Sequence, residues 1–282
     1  MASVTTGTVR SETSFIKSIQ FEESENITYV GAIDIGTNST HLLIAAVDNG
    51  LKTFSIALAE KSTTRLGEKD PLTGELTDIA IDRTLETLRR FKVLAESHKV
   101  VNLLTAATSA VREASNGAKL LDRIKEEIGI EVEVISGTEE ARLIYLGVIS
   151  GMQFGDRPHV VVDIGGGSTE LILADAHDSR ALTSTKVGAV RLKREFVKRQ
   201  PLPSNNYEFL KAFIQGSLES AVEKILRRIK PEEKPLMVAT SGTAMAIGSL
   251  VLSEQSIPKT KLQGCRILKS QLDQLLGKLV KL

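Results

Sequence analysis

One short pattern occurs twice in the chain and restricts its fold more than any other feature. Asp163-Ile164-Gly165-Gly166-Gly167-Ser168-Thr169-Glu170 follows the β-branched run His159–Ile164 and leads at once into the apolar run Leu171–Ala174. Upstream, Asp34-Ile35-Gly36-Thr37-Asn38-Ser39-Thr40 lies between Tyr29–Asp34 and the alternating run His41–Asp48. Each copy reads as strand, tight loop, strand. Two diverged copies of one unit predict two related lobes facing each other across a cleft.

The residue types in these loops point to anion chemistry. Three consecutive glycines let a backbone approach a bulky group, because no Cβ stands in the way. The free N–H groups of Gly165, Gly166 and Gly167, with the Ser168 and Thr169 hydroxyls, form a cradle for anionic oxygens. Gly36, Thr37, Asn38 and Ser39 offer the same from the other copy. Asp163 and Glu170 bracket the second loop. Mg²⁺ binds through few carboxylates plus substrate phosphates, so paired acids beside a phosphate cradle predict a divalent cation. The competing structural reading is a glycine-rich hairpin with solvated acids, and the duplication weighs against it.

Composition narrows the partners. The 282 residues allow two domains of ordinary size, and 25% charged with 41% apolar residues is ordinary for a globular protein. A formal net charge of +1 gives no global field to recruit nucleic acid, and aromatics at 4% with no Trp supply no base-stacking surface. No apolar run reaches membrane-spanning length. One cysteine, Cys265, excludes an intrachain disulfide, and four histidines make no Cys/His metal cluster. A reducing cytoplasm is the expected setting, and no secretory signal is expected in the Ser/Thr/Glu-rich first 26 residues.

The rest of the chain is read as follows. Residues 1–27 form a mobile arm, with Ile16, Ile19 and Phe21 able to dock. Residues 28–148 form lobe I. They begin with three antiparallel strands, Tyr29–Ile35, His41–Asp48 and Thr53–Glu60. Then come a helix capped by Asp78 and running to Ser97, a strand Val100–Ala106, and the loop Thr108–Glu113 opening a short helix. A helix Ala118–Ile128, a strand Val132–Ile135 and a helix Glu139–Ile149 complete it. Residues 149–282 form lobe II, with strands His159–Ile164, Glu170–Ala174 and Ala181–Val187, then helices Gly188–Val197 and Tyr207–Ile229. A strand Met237–Thr240 enters a third glycine loop, Ser241-Gly242-Thr243, and a helical pattern Lys269–Leu282 closes the sequence. That last pattern has no terminator, so the natural chain is expected to continue. The fold class is α/β: two lobes, each a mixed sheet with flanking helices.

Asp34–Ser39, Thr108–Arg112, Ser136-Gly137-Thr138-Glu139-Glu140-Ala141-Arg142-Leu143-Ile144, Asp163–Glu170, Gly188-Ala189-Val190-Arg191-Leu192 and Ser241-Gly242-Thr243 occur in one order. In that order they resemble the exopolyphosphatase / guanosine pentaphosphate phosphohydrolase family, over about residues 28 to 280. The resemblance implies actin-like (ribonuclease H-like) lobes of the sugar-kinase and Hsp70-like superfold. It also implies metal-assisted release of orthophosphate from inorganic polyphosphate, or hydrolysis of the terminal phosphate of guanosine pentaphosphate.

On this resemblance Glu140 matches the catalytic acid, although position alone favours a first-turn glutamate that serves the helix dipole. Glu139 is the neighbour with which it is most easily confused. Arg112, which could grip phosphate bidentately, is the second catalytic candidate. Asp34, Asp163 and Glu170 are the metal candidates. Ser109, Lys186, Arg191 and Gly242 join the two glycine loops as phosphate-binding candidates, Arg191 because it matches the family motif. Lys193 and Arg194 read equally well as a solvated face. His41 and Cys265 receive no role. The competing classes are a sugar or acetate kinase of the same superfold and a non-catalytic polyphosphate or alarmone binder. No nucleic acid or membrane partner is expected, and a homodimer is the one assembly envisaged.

Overall fold

The structure is a computed structural model that describes residues 26–255, 257–258 and 262–281. The expected mobile arm, with Ile16, Ile19 and Phe21, lies outside the described residues apart from its last two positions, and so does Leu282.

The first sheet has the order β3-β2-β1-β4-β5. Its meander is β1 (Ile27–Ile35), β2 (Thr40–Asp48) and β3 (Thr53–Ser62), antiparallel throughout. Gly50 and Leu51 donate to Asp48 Oδ1, which closes the turn between β2 and β3. The parallel strand β4 (Asn102–Ala107) then pairs with β1, and β5 (Glu133–Val134) with β4.

Helices α1 (Asp78–Ser97) and α3 (Gly117–Ile128) cover one face of this sheet. Ile33, Ile35, Leu42 and Ile44 meet Leu85, Leu88, Phe91, Leu120 and Ile124 in one buried cluster. Thr77, not Asp78, caps α1: its side chain accepts from the Ala80 N–H at 3.3 Å. Gly129, at φ 71°, ends α3 in the left-handed conformation that favours glycine.

The second sheet repeats the plan in the order β8-β7-β6-β9. Here β6 (His159–Ile164), β7 (Thr169–Ala174) and β8 (Ser179–Thr185) form the antiparallel meander. The edge strand β9 (Leu236–Thr240) pairs parallel with β6, as β4 does with β1. Both faces are covered. Helix α4 (Gly137–Gly151) packs on one side through Ala141 and Tyr145 against Val161 and Ile172. Helix α6 (Ser204–Leu226) packs on the other through Ala221 and Ile225 against Leu171 and Leu173. Although the sequence groups α4 with the first lobe, its core contacts are with the second sheet. The chain therefore passes between lobes at about Ile135–Gly137. The remaining elements are α2 (Ser109–Arg112), α5 (Ala189–Phe196), α7 (Ser241–Glu254) and α8 (Lys269–Leu279).

Candidate active site

The two glycine loops meet. Thr37 Oγ1 and Ser109 Oγ, both from the first lobe, lie 2.9 Å apart and are buried. A Cβ added to Gly167 would stand 2.3 Å from Ser109 Oγ and 2.8 Å from Thr37 Oγ1, so only glycine permits this approach between lobes. The first loop is braced from beneath, where the Gly67 N–H donates to the Thr37 carbonyl at 2.7 Å and the Arg65 N–H to the Asn38 carbonyl at 2.9 Å.

Helix α5 braces the second loop. The N–H groups of Ala189 and Val190 donate to the Gly165 and Gly166 carbonyls at 2.9 Å each, and the Arg191 N–H donates to the Gly166 carbonyl at 3.0 Å. These are first-turn donors that a helix cannot satisfy internally. The Gly165 N–H, expected to be free, donates to the Ser168 carbonyl at 2.9 Å and closes the loop, so with the carbonyls drawn toward α5 it is the N–H groups of Gly166 and Gly167 that are left for a ligand. The Thr169 hydroxyl is tied to the Val187 carbonyl and is therefore part of the brace.

Four carboxylates converge beside these loops. Asp163 and Glu170 face each other across the β6–β7 ladder, and Asp34 ends β1 at the first loop. Asp34 is open to water, yet burial of its surroundings, then the charge of Asp163, push its carboxyl up to about 6. Burial raises Asp163 to about 6 against the Ser241 hydroxyl, which lowers it. Glu170 is fully buried. Burial lifts it to about 7, opposed by hydrogen bonds from Ser184, whose Oγ donates at 2.7 Å, and Ser168. Glu140 rises furthest, to about 8, through burial and then the charge of Glu170, with Arg112 pulling the other way.

Adjacent acids in α4 have opposite fates. Ser136 caps the helix by accepting from the Glu139 N–H at 3.1 Å. Glu139 turns outward, where Arg142 grips it with two bonds of 2.8 and 2.7 Å and holds it below the usual carboxylate range. Glu140 turns into the cleft. Arg112 donates to the Ile135 carbonyl at 2.6 Å and reaches Glu140 Oε2 at 3.4 Å, so in this arrangement it steadies the acid.

Among the described residues no three His, Cys, Asp or Glu side chains converge tightly enough to enclose a metal ion. The donor set instead suits a cation that takes part of its coordination from a substrate. Several hard oxygen ligands carry charge that burial disfavours and no cation fully offsets, which fits Mg²⁺ completed by phosphate oxygens.

A stability test follows from these shifts. Acids with raised native pKa values bind more protons folded than unfolded. Their contribution to stability is complete below the ordinary carboxylate pKa and is lost as pH rises through about 6 to 8. We expect the Tm to fall between pH 5 and pH 8.5, with millimolar Mg²⁺ restoring it more at the higher pH. Equal Mg²⁺ effects at both pH values, read by differential scanning fluorimetry, would count against these acids as ligands.

Other candidate residues are placed differently. Arg191 Nε donates to the Gly167 carbonyl at 2.9 Å and its Nη2 to Glu113 Oε2 at 2.6 Å, so it links the second loop to the first lobe. Lys186 is largely exposed and approaches Glu113 only at 3.9 Å. Asn38 is exposed, while Ser39 is buried under the first loop. Ser241-Gly242-Thr243 is not a separate loop; it is the first turn of α7. Ser241 takes φ 77°, unusual for a residue with a side chain, and its hydroxyl and that of Thr243 both donate to the Ile164 carbonyl at 2.8 Å. Gly242 faces Lys61, not the glycine loops.

Sequence reasoning missed Lys69, Glu113 and Ser184. Lys69 and Glu113 sit in unremarkable polar contexts far apart in the first lobe's sequence, and the fold of that lobe brings them together, with Lys69 Nζ donating to the Glu113 carbonyl at 3.3 Å. Ser184 alternates in a strand, and its position opposite Glu170 in the β7–β8 ladder was the available signal.

Residues 43–282 match the model of the Ppx/GppA phosphatase family. The chain belongs to that family. Among Ppx/GppA relatives, Exopolyphosphatase 1 of Mycobacterium leprae is 32% identical over 221 residues, covering 78% of this chain and 64% of that protein. The guanosine-5'-triphosphate,3'-diphosphate pyrophosphatase of Vibrio parahaemolyticus is 32% identical over 225 residues, covering 79% of this chain and 44% of that one. The chain thus spans about half to two thirds of these relatives' length. The crystal structure of an exopolyphosphatase from Cytophaga hutchinsonii superposes with a TM-score of 0.78 at 30% identity, over 90% of this chain and 80% of that one. The Aquifex aeolicus PPX-GPPA enzyme gives 0.73 at 30% identity, over 91% and 82%. The two mixed sheets, with their repeated strand order and flanking helices, are the α/β two-lobe architecture expected from the sequence. No helix among the described residues is long and apolar enough to cross a membrane.

Proposed function

We propose that the cleft hydrolyses the terminal phosphoanhydride bond of inorganic polyphosphate and releases orthophosphate, with Glu140 as general base. The observation that carries this reading is the contrast within α4. Glu139 is neutralised by Arg142, while Glu140 lies among Arg112, Glu170 and Asp34 with its proton affinity raised to about 8. Such a carboxylate is matched to taking a proton from water near neutral pH.

In this reading the N–H groups of Gly166 and Gly167 and the hydroxyls of Thr37 and Ser109 hold the terminal phosphoryl group from both lobes. A water oriented by Glu140 attacks phosphorus. Its proton passes to the carboxylate, the new P–O bond forms, and the bridging P–O bond breaks toward the shortened chain. Asp34, Asp163 and Glu170 would hold Mg²⁺, which supplies charge neutralisation at the phosphoryl oxygens. The lone Cys265 is compatible with action in a reducing cytoplasm.

Guanosine pentaphosphate is the second reading, since a relative is named for such chemistry. The recess beside the loops is lined by Thr37, Gly67, Lys69, Gly167, Arg191 and Arg194 among others, and among the described residues no aromatic ring lines it to stack a guanine. That favours polyphosphate.

The test is orthophosphate release with Mg²⁺ from long polyphosphate, tripolyphosphate, guanosine pentaphosphate and ATP in parallel. Long polyphosphate should be turned over fastest, and EDTA should abolish release. Glu170→Gln should lower kcat by roughly a hundredfold or more, the scale of losing a main electrostatic group in an active site. Preferred hydrolysis of ATP would overturn the assignment.

A further inference from the structure

We propose that Glu113 is a tethered anion occupying a phosphate subsite built across the two lobes, and that a phosphate of the bound chain displaces it. This rests on the polyanion-hydrolase reading above and adds the residue that sets affinity for the rest of the chain.

The subsite is assembled from both lobes. Lys69 comes from the stretch between β3 and α1, while Lys186, Arg191 and Arg194 come from the end of β8 and from α5. Glu113 follows α2 and lies among them. Arg191 bonds its Oε2 at 2.6 Å, Lys186 stands 3.9 Å from the same oxygen, and Lys69 holds its backbone carbonyl at 3.3 Å. The other carboxylate oxygen, Oε1, is buried with no hydrogen-bond partner among the described residues. A buried carboxylate oxygen left unsatisfied carries a desolvation cost that a purely structural ion pair would be expected to remove.

The surrounding charge remains positive with Glu113 in place. Glu195 is the second acid present, 3.9 Å from Arg191 and 3.2 Å from Arg194. Two carboxylates thus face four cations. Lys69 is held below its usual range by burial, then by Arg194, against the opposing charge of Glu113, with Arg191 and Lys186 adding to the lowering. A phosphate carries more charge and more acceptor oxygens than one carboxylate and would satisfy these donors more fully.

Position supplies the link to the reaction. The recess that Lys69, Arg191 and Arg194 line is also lined by Thr37, Ser109 and Gly167, the residues where the two loops touch. A chain whose terminal phosphate lies in the loops has its inner phosphates directed at these cations. Glu113 holds the Arg191 guanidinium at the border of that recess.

The experiment measures direct binding of long-chain inorganic polyphosphate and of tripolyphosphate in a Glu140→Gln background, where turnover does not confuse affinity. Glu113→Gln keeps the side chain's shape and removes its charge. It should bind long polyphosphate roughly tenfold more tightly, about the worth of one charged hydrogen bond that no longer has to be broken. Its dependence on salt should also steepen. Lys69→Gln should do the reverse, weakening binding and shallowing the salt slope by about one. Unchanged or weaker binding by a folded Glu113→Gln protein, or an unaltered salt slope in Lys69→Gln, overturns the proposal. If Glu113→Gln does not fold, the Lys69→Gln result decides alone. Failure of the Glu140→Gln parent to bind any polyphosphate would instead sink the substrate reading on which the inference rests.

Discussion

Glu140→Gln should lower kcat by roughly two to four orders of magnitude, the range over which a positioned acid or base contributes. The amide keeps the size of the side chain and can still meet the Arg112 guanidinium through its oxygen. What it cannot do is accept a proton. Because the carboxyl of the free protein titrates near 8, kcat/KM for the parent should rise with pH up to that value. The Gln variant should lose this limb of the profile. Glu139→Gln should be mild by comparison, since that carboxylate is already committed to Arg142 on the outer side of the helix. Single-turnover rates and direct binding for both variants would separate chemistry from affinity. An inactive Glu139→Gln beside an active Glu140→Gln would reverse the assignment.

Gly188→Ala should be the most damaging substitution of a single hydrogen by a methyl group. A Cβ there would lie 2.4 Å from the Gly167 nitrogen and 2.5 Å from the Gly166 carbonyl carbon and oxygen. These are backbone atoms of the second glycine loop and cannot swing aside as a flexible side chain would. Either the loop shifts or α5 retreats, and retreat breaks the three N–H bonds that hold the loop's carbonyls. Overpacking of this kind costs about 1–3 kcal/mol. An ångström of misplacement at a reacting group costs on the order of a hundredfold in rate. Both losses should appear together in thermal melts and initial rates. Gly216→Ala is the control. It lies within α6 with open space where the methyl would go, and alanine favours helix over glycine by up to about 1 kcal/mol. It should leave activity intact and hold or raise the Tm.

Much of the fold was legible because its signals are local. The strands of both meanders declare themselves by β-branched runs that stop at glycine or turn residues, and α6 by apolar residues at helical spacing. Errors gathered where tertiary packing decides. Ser241-Gly242-Thr243 reads as a loop because glycine is a poor helix former, yet it opens α7 directly, secured by two hydroxyl bonds to a carbonyl of β6. Helix α4 follows the first sheet in sequence, but Ala141 and Tyr145 find their apolar partners on the second.

The candidate site divides the same way. Loop glycines and bracketing acids carry chemistry within a few consecutive residues. The difference between Glu139 and Glu140, by contrast, depends on which face of α4 meets the sheet. The tie of Arg191 to Glu113 exists only once two lobes touch, the tie of Lys69 to the same residue only once the first lobe has folded, and no local pattern encodes either.

The repeated strand order also has a kinetic consequence. In each lobe three strands are joined by short turns, so their pairing closes small loops and can form early. The fourth strand must return from far along the chain, Asn102 to pair with Val30 and Leu236 to pair with His159. Contacts of such long sequence separation carry a larger loop-closure cost and are slow to form. The glycine loop between β6 and β7 is therefore shaped in the early hairpin. Ser241 and Thr243 reach the Ile164 carbonyl only after β9 has docked. The glycine loop is therefore expected to form before its supporting wall, and that order would set when the cleft is complete.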